Sequence, residues 1–108
     1  MNSFEAVVLL SPEITSKVRN SSLDNLVKII NDKSGKIVNN EDWGLRDLSY
    51  KIDNYSKAFY NFYQIEIEGD KIESVKKILN QDENFIRHLF VRVEKHQELP
   101  TKLNNEKK

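Results

Sequence analysis

Residues 43–52 have the sequence Trp-Gly-Leu-Arg-Asp-Leu-Ser-Tyr-Lys-Ile, and this stretch is the most informative about the fold. From Leu48 onward, apolar and polar residues alternate, which is typical of a strand with one buried face. Gly44 lies inside the strand pattern, and a glycine in such a position often marks a β-bulge. The pattern over residues 36–52 therefore predicts one long strand with a bulge near Gly44.

A second long strand is predicted over residues 57–67, after the turn-forming residues 53–56. Side chains alternate across a strand, so its apolar residues divide between two faces. One face carries Phe59, Tyr63, Ile65 and Ile67, and the other carries Tyr60 and Phe62. We expect the two long strands to pair as a hairpin.

Two helices are predicted outside the hairpin. The first begins with Ser11 as its N-cap and Pro12 in its first turn. The polar residues 20–22 allow either one helix or two, and Gly35 ends the segment because glycine tolerates the left-handed conformation of a C-cap. The second helix is capped by Asp70 and carries an apolar stripe at helical spacing.

Strands over residues 4–10 and 85–93 complete the order strand, helix, strand, strand, helix, strand. Right-handed crossovers then place both helices on one face of a four-stranded antiparallel sheet. The predicted class is α+β, with the ferredoxin-like βαββαβ arrangement. We assign residues 1–96 to this domain and residues 97–108 to a flexible polar tail. Binding is expected on the sheet face that the helices leave uncovered.

Composition narrows the possible functions of this 108-residue chain. Seventeen Lys and Arg balance seventeen Asp and Glu, so no overall basic field favours nonspecific RNA binding. The absence of Cys excludes disulfides, thiolate metal sites and a Cys nucleophile. His88 and His96 lack metal-ligand spacing, and no catalytic constellation or Gly-rich phosphate loop is present. We predict a protein that is not an enzyme and needs no metal or cofactor.

The amino-terminal segment lacks the features of a targeting signal. It has an acidic residue and only five consecutive apolar residues, Ala6 to Leu10, whereas a membrane span needs about 20. We therefore expect a soluble, cytoplasmic protein.

Four segments together resemble the ribosomal protein six family of the bacterial small subunit. They are residues 43–52, Phe4-Glu5, the aromatic segment 60–63 and the segment 87–92, and the resemblance spans about residues 2–95. It implies a structural ribosomal protein that binds the central domain of small-subunit rRNA together with small-subunit ribosomal protein eighteen, and that is monomeric when free. The alternative is a ferredoxin-like regulatory module that binds a small metabolite as a homodimer, although the Gly-containing loop expected after its first strand is absent.

Basic residues in and beside the strands are the candidate RNA contacts. We predict five: Arg46, Lys51, Lys57, Arg87 and Arg92. A guanidinium fork suits phosphate contact, but cross-strand pairing with carboxylates such as Asp47 or Glu66 is the competing interpretation for the three arginines. Solvated surface lysines are likewise common.

Aromatic residues are the candidate contacts for a protein partner. We predict Trp43, Tyr50, Tyr60 and Phe62. Trp43 is either a packing residue that covers the sheet or an anchor for a partner. An RNA-recognition motif shares this topology, but it needs stacking aromatics at two alternate positions that are occupied here by Phe59 and Asn61, and Asn61 offers no ring.

Overall fold

The computed structural model describes residues 2–52 and 54–94. Its elements are β1 (Asn2–Leu10), α1 (Ser16–Asp32), β2 (Lys36–Ile52), β3 (Tyr55–Ile67), α2 (Ile72–Asn80) and β4 (Phe85–Val93). A 3-10 turn, Gly69–Lys71, precedes α2. The predicted tail, residues 97–108, lies outside the described residues, so its flexibility and the domain boundary stay predictions.

The four strands form one antiparallel sheet in the order β2-β3-β1-β4. The predicted α+β ferredoxin-like βαββαβ fold is confirmed, because β1 and β3 are neighbours in the centre of the sheet and each helix connects strands that are consecutive in the chain but not neighbours in the sheet. β1 is buried along most of its length, as its Val- and Leu-rich sequence predicts.

One hydrophobic core lies between the helices and the sheet. Alternate residues of the two central strands point into it, and the helices supply their apolar stripes. The core members that are less than 2% exposed and come from the central strands are Ala6, Val8, Leu10, Ile65 and Ile67, and those from the helices are Leu26, Ile30, Val75 and Leu79. The opposite face of the sheet has no helix over it in the described residues; we call it the open face.

The start of α1 differs from the prediction. Thr15, rather than Ser11, is the N-cap, and its Oγ1 accepts a hydrogen bond from the Val18 amide at 3.2 Å. Ser11 remains attached to the sheet end, since its amide donates to the Asn84 carbonyl oxygen at 3.0 Å. The helix is continuous through residues 20–22, so the one-helix alternative is correct.

At the end of α1, the roles of the individual residues also differ from the prediction. Ser34, not Gly35, adopts the left-handed conformation, with φ 65°. Gly35 is required for a different reason: a Cβ at this position would lie 2.9 Å from Cβ of Ile67, so only glycine lets the chain pass this close to β3. The predicted helix end is therefore correct, but the role assigned to Gly35 is wrong.

The hairpin contains the predicted bulge. The β2–β3 register shifts between Asp42 and Gly44, and Gly44 has φ 75°. β3 begins at Tyr55, two residues earlier than predicted, because Tyr55 pairs with Ile52 across the turn. By contrast, α2 begins after the 3-10 turn and without a side-chain N-cap, so the predicted cap at Asp70 is wrong.

Candidate binding face of the sheet

The open face is defined by strand alternation and register. On β1, Val7 lies opposite Phe62 of β3 and Leu89 of β4, while Leu9 lies opposite Tyr60 and Arg87. These residues share one side of the sheet, because directly paired residues point the same way. The predicted division of β3 into two faces is thus confirmed, with Tyr60 and Phe62 on the open side.

Trp43 lies flat on the open face. Its ring stacks on Phe62 at a centroid distance of 5.5 Å and an interplanar angle of 9°, and on Tyr60 at 6.4 Å and 22°. Its indole Nε1 donates to Glu41 Oε1 at 2.9 Å, and the residue is only 4% exposed. Trp43 therefore packs against the sheet, as the first of its two interpretations predicts; Phe62 beneath it is also buried.

Arg46 contacts Trp43 through its guanidinium group and through a hydrogen bond. Its guanidinium carbon lies 5.3 Å from the Trp43 ring centroid, and its Nε donates to the Trp43 carbonyl oxygen at 3.1 Å. The bulge at Gly44 lies between the two residues in β2, and a bulge bends its strand and increases the local twist. The resulting arginine–aromatic contact fixes the position of Arg46 on the open face.

An apolar groove of about 310 Å³ runs beside Trp43 and is lined by residues of all four strands. Its floor is formed by Val7, Leu9 and Tyr60, and the last residues of β2, from Leu48 to Ile52, form one wall. Leu89 lies at the other wall and is 60% exposed, and Tyr50 is 68% exposed. Such contiguous exposed apolar surface is typical of a site that binds another molecule.

Of the residues predicted to contact a protein partner, Trp43 and Phe62 are buried and Tyr50 is exposed. Trp43, Tyr60 and Phe62 form one stack, whereas Tyr50 lies apart from it on the groove wall. Leu89 and Val91 are the most exposed aliphatic residues of β4, and neither is among the residues predicted from the sequence. The alternation over residues 85–93 was the signal that could have found them.

The five predicted RNA-binding residues do not form one patch. Arg46 and Arg87 lie on the open face, but Arg92 lies opposite Phe4 and therefore on the helix side. Lys51 is exposed at the end of β2, and Lys57 pairs across the hairpin with Asp47 at 3.9 Å. These roles stay predictions.

Arg87 has the best access to a ligand on the open face. It is exposed at the groove edge, and among residues 2–52 and 54–94 its side chain has no hydrogen bond or ion pair. The carboxylates proposed as cross-strand partners are engaged by lysines instead: Asp47 by Lys57, and Glu66 by Lys36 at 3.6 Å.

The RNA-recognition alternative fails on orientation as well as on residue type. Asn61 is 6% exposed and faces the helices, as does Phe59, whose ring lies 3.9 Å from the Arg19 guanidinium carbon. Neither residue reaches the open face, so this strand offers no pair of stacking platforms at those positions.

Tyr63 and His88, two described residues with shifted pKa values, lie on the helix side of the sheet. Burial and then the charge of Lys76 lower the pKa of His88, whose Nε2 lies 2.9 Å from Asn80 Oδ1. His88 is consequently neutral at pH 7 and adds no positive charge. Within the described ranges, no cluster of three or more potential ligands could hold a metal, and no helix is long and apolar enough to cross a membrane.

Comparisons with known proteins agree with this architecture. The model of the family described as ribosomal protein S6 matches residues 3–92. Small ribosomal subunit protein bS6 of Maricaulis maris is 33% identical over 107 residues, which cover 99% of this chain and 92% of that protein. The bS6 protein of Rickettsia felis is 32% identical over 103 residues, which cover 95% of this chain and 85% of that one.

A solved structure shares this fold although its sequence identity to this chain is low. The crystal structure of 30S ribosomal protein S6 from Thermotoga maritima superposes with a TM-score of 0.81 at 20% identity, covering 85% of this chain and 87% of that one. At this level of identity the likeness concerns the fold alone.

Proposed function

The chain belongs to the ribosomal protein S6 family of the bacterial small subunit, and from that premise we propose that it binds the central domain of small-subunit rRNA as a pair with small-subunit ribosomal protein eighteen. Members of the family are structural ribosomal proteins of the cytoplasm rather than enzymes. The observation that carries the proposal is the exposed apolar groove with Arg87 at its edge.

The groove suits a protein partner better than it suits RNA. Its walls present Leu89, Tyr50 and Ile52. Apart from the Tyr50 phenol, these side chains have no group that could form a hydrogen bond with a base or a phosphate. Burying exposed aliphatic and aromatic side chains is a large favourable term in protein association. A partner that inserts apolar side chains here would also bring further surface close to Arg87.

Charge explains why a partner is needed for RNA binding. The chain has a formal net charge of zero, so it lacks the excess of cations that drives phosphate neutralisation. A basic partner docked in the groove adds those cations beside Arg87 and creates a composite surface. RNA then binds a surface that is already ordered, which lowers the entropy cost of binding. The free chain is monomeric in this mechanism.

The test is binding of the purified chain to a central-domain rRNA fragment, with and without ribosomal protein eighteen, over a salt series. We expect tight binding only when both proteins are present. Leu89→Glu places a charge in the groove and should abolish pairing. Val18→Glu is the matched control, because Val18 is 40% exposed on α1, away from the open face.

Arg87 and Arg92 provide a second matched pair, since they lie on opposite faces of one strand. Arg87→Ala should weaken RNA binding by the pair and make its salt dependence less steep, with a smaller effect from Arg92→Ala. Equal RNA binding with and without the partner, unaffected by Leu89→Glu, would refute coupled binding through the groove. A stable homodimer without RNA affinity would favour the metabolite-binding alternative.

A further inference from the structure

A second cavity lies on the helix side of the sheet, between α1 and the hairpin. Its volume is about 400 Å³, and its lining includes Asp24 of α1, Asn40 of β2, and Asn61 and Tyr63 of β3. We call it the α1–hairpin cleft. It is separated from the open-face groove by the full thickness of the sheet, so an occupant of one does not compete with an occupant of the other.

Asn61 presents an unused hydrogen-bond donor in this cleft. The residue is only 6% exposed, and no acceptor within the described part of the chain reaches its Nδ2. Leaving a buried amide donor unpaired is unfavourable, and buried polar groups in folded proteins nearly always have a partner. Nδ2 itself is buried and Asn61 lines the cleft, so a turn of the side-chain amide brings this donor to an acceptor atom bound there.

The charge of the cleft is negative. Asp24 lines the cleft, and Asp42 lies opposite Asn61 across the hairpin and so on the same face of the sheet. Burial, and after it these two carboxylates, raise the pKa of the Tyr63 hydroxyl to about 12. Asp42 also accepts a hydrogen bond from the Gly44 amide at 2.8 Å, whereas Asp24 is exposed and forms no ion pair with a described residue. The described lining contains neither Lys nor Arg.

These two features together define the chemistry of the occupant. It must offer an acceptor to Asn61 Nδ2 and positive charge to Asp24. A phosphate supplies the acceptor but is repelled by the carboxylates. A Lys or Arg residue supplies both, because its backbone carbonyl is an acceptor and its side chain is a cation. The cleft volume suits one long side chain rather than a folded element.

We propose that the α1–hairpin cleft binds a Lys or Arg residue in an extended basic segment of a neighbouring protein, with a peptide carbonyl of that segment accepting from Asn61 Nδ2 and its cation beside Asp24. The chain is then held by protein contacts on both sides of its sheet. This inference does not depend on the proposed pairing through the open-face groove.

The test is an NMR titration of the full ¹⁵N-labelled chain with the blocked peptide acetyl-Gly-Arg-Gly-Arg-Gly-amide. We expect saturable shifts of the Asn61 side-chain amide and of the backbone amides around Asp24. The same peptide with Gln in place of both arginines should produce much smaller shifts. Uridine monophosphate is the probe for nucleic acid, and we expect no shift at the cleft.

Two variants and one control identify the groups responsible. Asn61→Leu should weaken peptide binding several-fold without lowering the melting temperature, because it removes a donor that is unpaired in the free chain. Asp24→Asn should weaken binding while the fold is unchanged. Asp32→Asn is the control, since Asp32 is equally exposed on α1 but does not line the cleft.

Three results would overturn the proposal. One is the absence of saturable shifts at the cleft. The second is peptide binding that Asp24→Asn and Asp32→Asn weaken equally, which would indicate general attraction to acidic surface. The third is saturable binding of uridine monophosphate at Asn61, which would assign the cleft to RNA.

Discussion

The same four strands build both faces of the sheet, but the two faces differ in how far their apolar side chains are exposed. On the helix-covered face, Ala6, Val8 and Ile65 are entirely buried. On the open face, Leu89 and Val91 keep about half or more of their surface exposed. Leu45 on the helix side is also 46% exposed, but it lies on the edge strand β2, whereas Leu89 lines an apolar groove. Contiguous exposed apolar surface of this kind, rather than a single exposed side chain, indicates a surface used for binding.

The faces also differ in how aromatic rings are used. Tyr63 on the helix side is packed within the core cluster, whereas Trp43 and Phe62 on the open side shield each other by stacking. The open face is therefore not a bare sheet. Its stack is a second, smaller packed layer that positions Arg46 and borders the groove.

The largest expected effect is loss of core packing on the helix-covered face. Ile65→Ala should reduce the free energy of unfolding by about 2–5 kcal/mol, because the side chain is fully buried and a cavity remains. Urea unfolding measures this change. Ile65→Val is the control and should cost only about 0.5–1.5 kcal/mol. An alanine effect no larger than the valine effect would contradict the assignment of the core to this face.

Trp43→Ala should have the next largest effect and tests whether the open-face stack is structural. We expect a loss of about 2–3 kcal/mol in the free energy of unfolding, less than for a tryptophan packed on all sides, since one layer of the sheet supports it. Trp43→Phe keeps a stacked ring and should recover much of the loss. Unchanged stability in Trp43→Ala would return Trp43 to the role of a partner anchor.

The sequence predicts those parts of this contrast that depend on residues close together in the chain. It does not predict the parts that depend on residues far apart in the chain. Alternation within β3 and β4 is local, so the faces of Tyr60 and Phe62 and the bounds of Phe85–Val93 were predicted correctly. The bulge at Gly44 was also predicted, because glycine signals it locally. The resemblance to the ribosomal protein six family, carried by residues 43–52, is confirmed by the family match.

The features that the sequence did not predict depend on long-range partners. Ser11 Oγ accepts from the nearby Glu13 amide at 3.2 Å, but the amide of Ser11 is bound to the carbonyl of Asn84, which is distant in sequence, and the helix begins only after Thr15. Gly35 is needed because Ile67 passes close to it, not because of its own backbone angle. No local pattern specifies these contacts.

Alkaline pH provides a third test, directed at the helix-covered face. Tyr63 has its pKa raised from 10.0 to about 12, chiefly by burial, so the folded state retains its proton more tightly than the unfolded state. Its contribution to stability is complete below pH 10 and is lost as pH rises toward 12. The loss should reach about 2–3 kcal/mol.

The measurement for Tyr63 is urea unfolding of the native chain and of Tyr63→Phe over this alkaline range. The native chain should lose stability more steeply than the variant, because phenylalanine has no proton to release. Tyr50 is exposed, so Tyr50→Phe should leave the slope unchanged. Parallel slopes in all three proteins would show that Tyr63 titrates like an exposed tyrosine.

The smallest expected effect is the most informative about the open face. Leu89→Ser should change the free energy of unfolding by less than about 0.5 kcal/mol, since Leu89 is already 60% exposed in the free chain. The same substitution at Leu79, a buried core residue of α2, should cost several times more. If Leu89→Ser is as destabilising as Leu79→Ser, Leu89 belongs to the packing of the chain rather than to a binding surface. If Leu89→Ser leaves stability intact but weakens the proposed pairing with ribosomal protein eighteen, the exposed leucine serves binding, and the two faces of the sheet have separate roles.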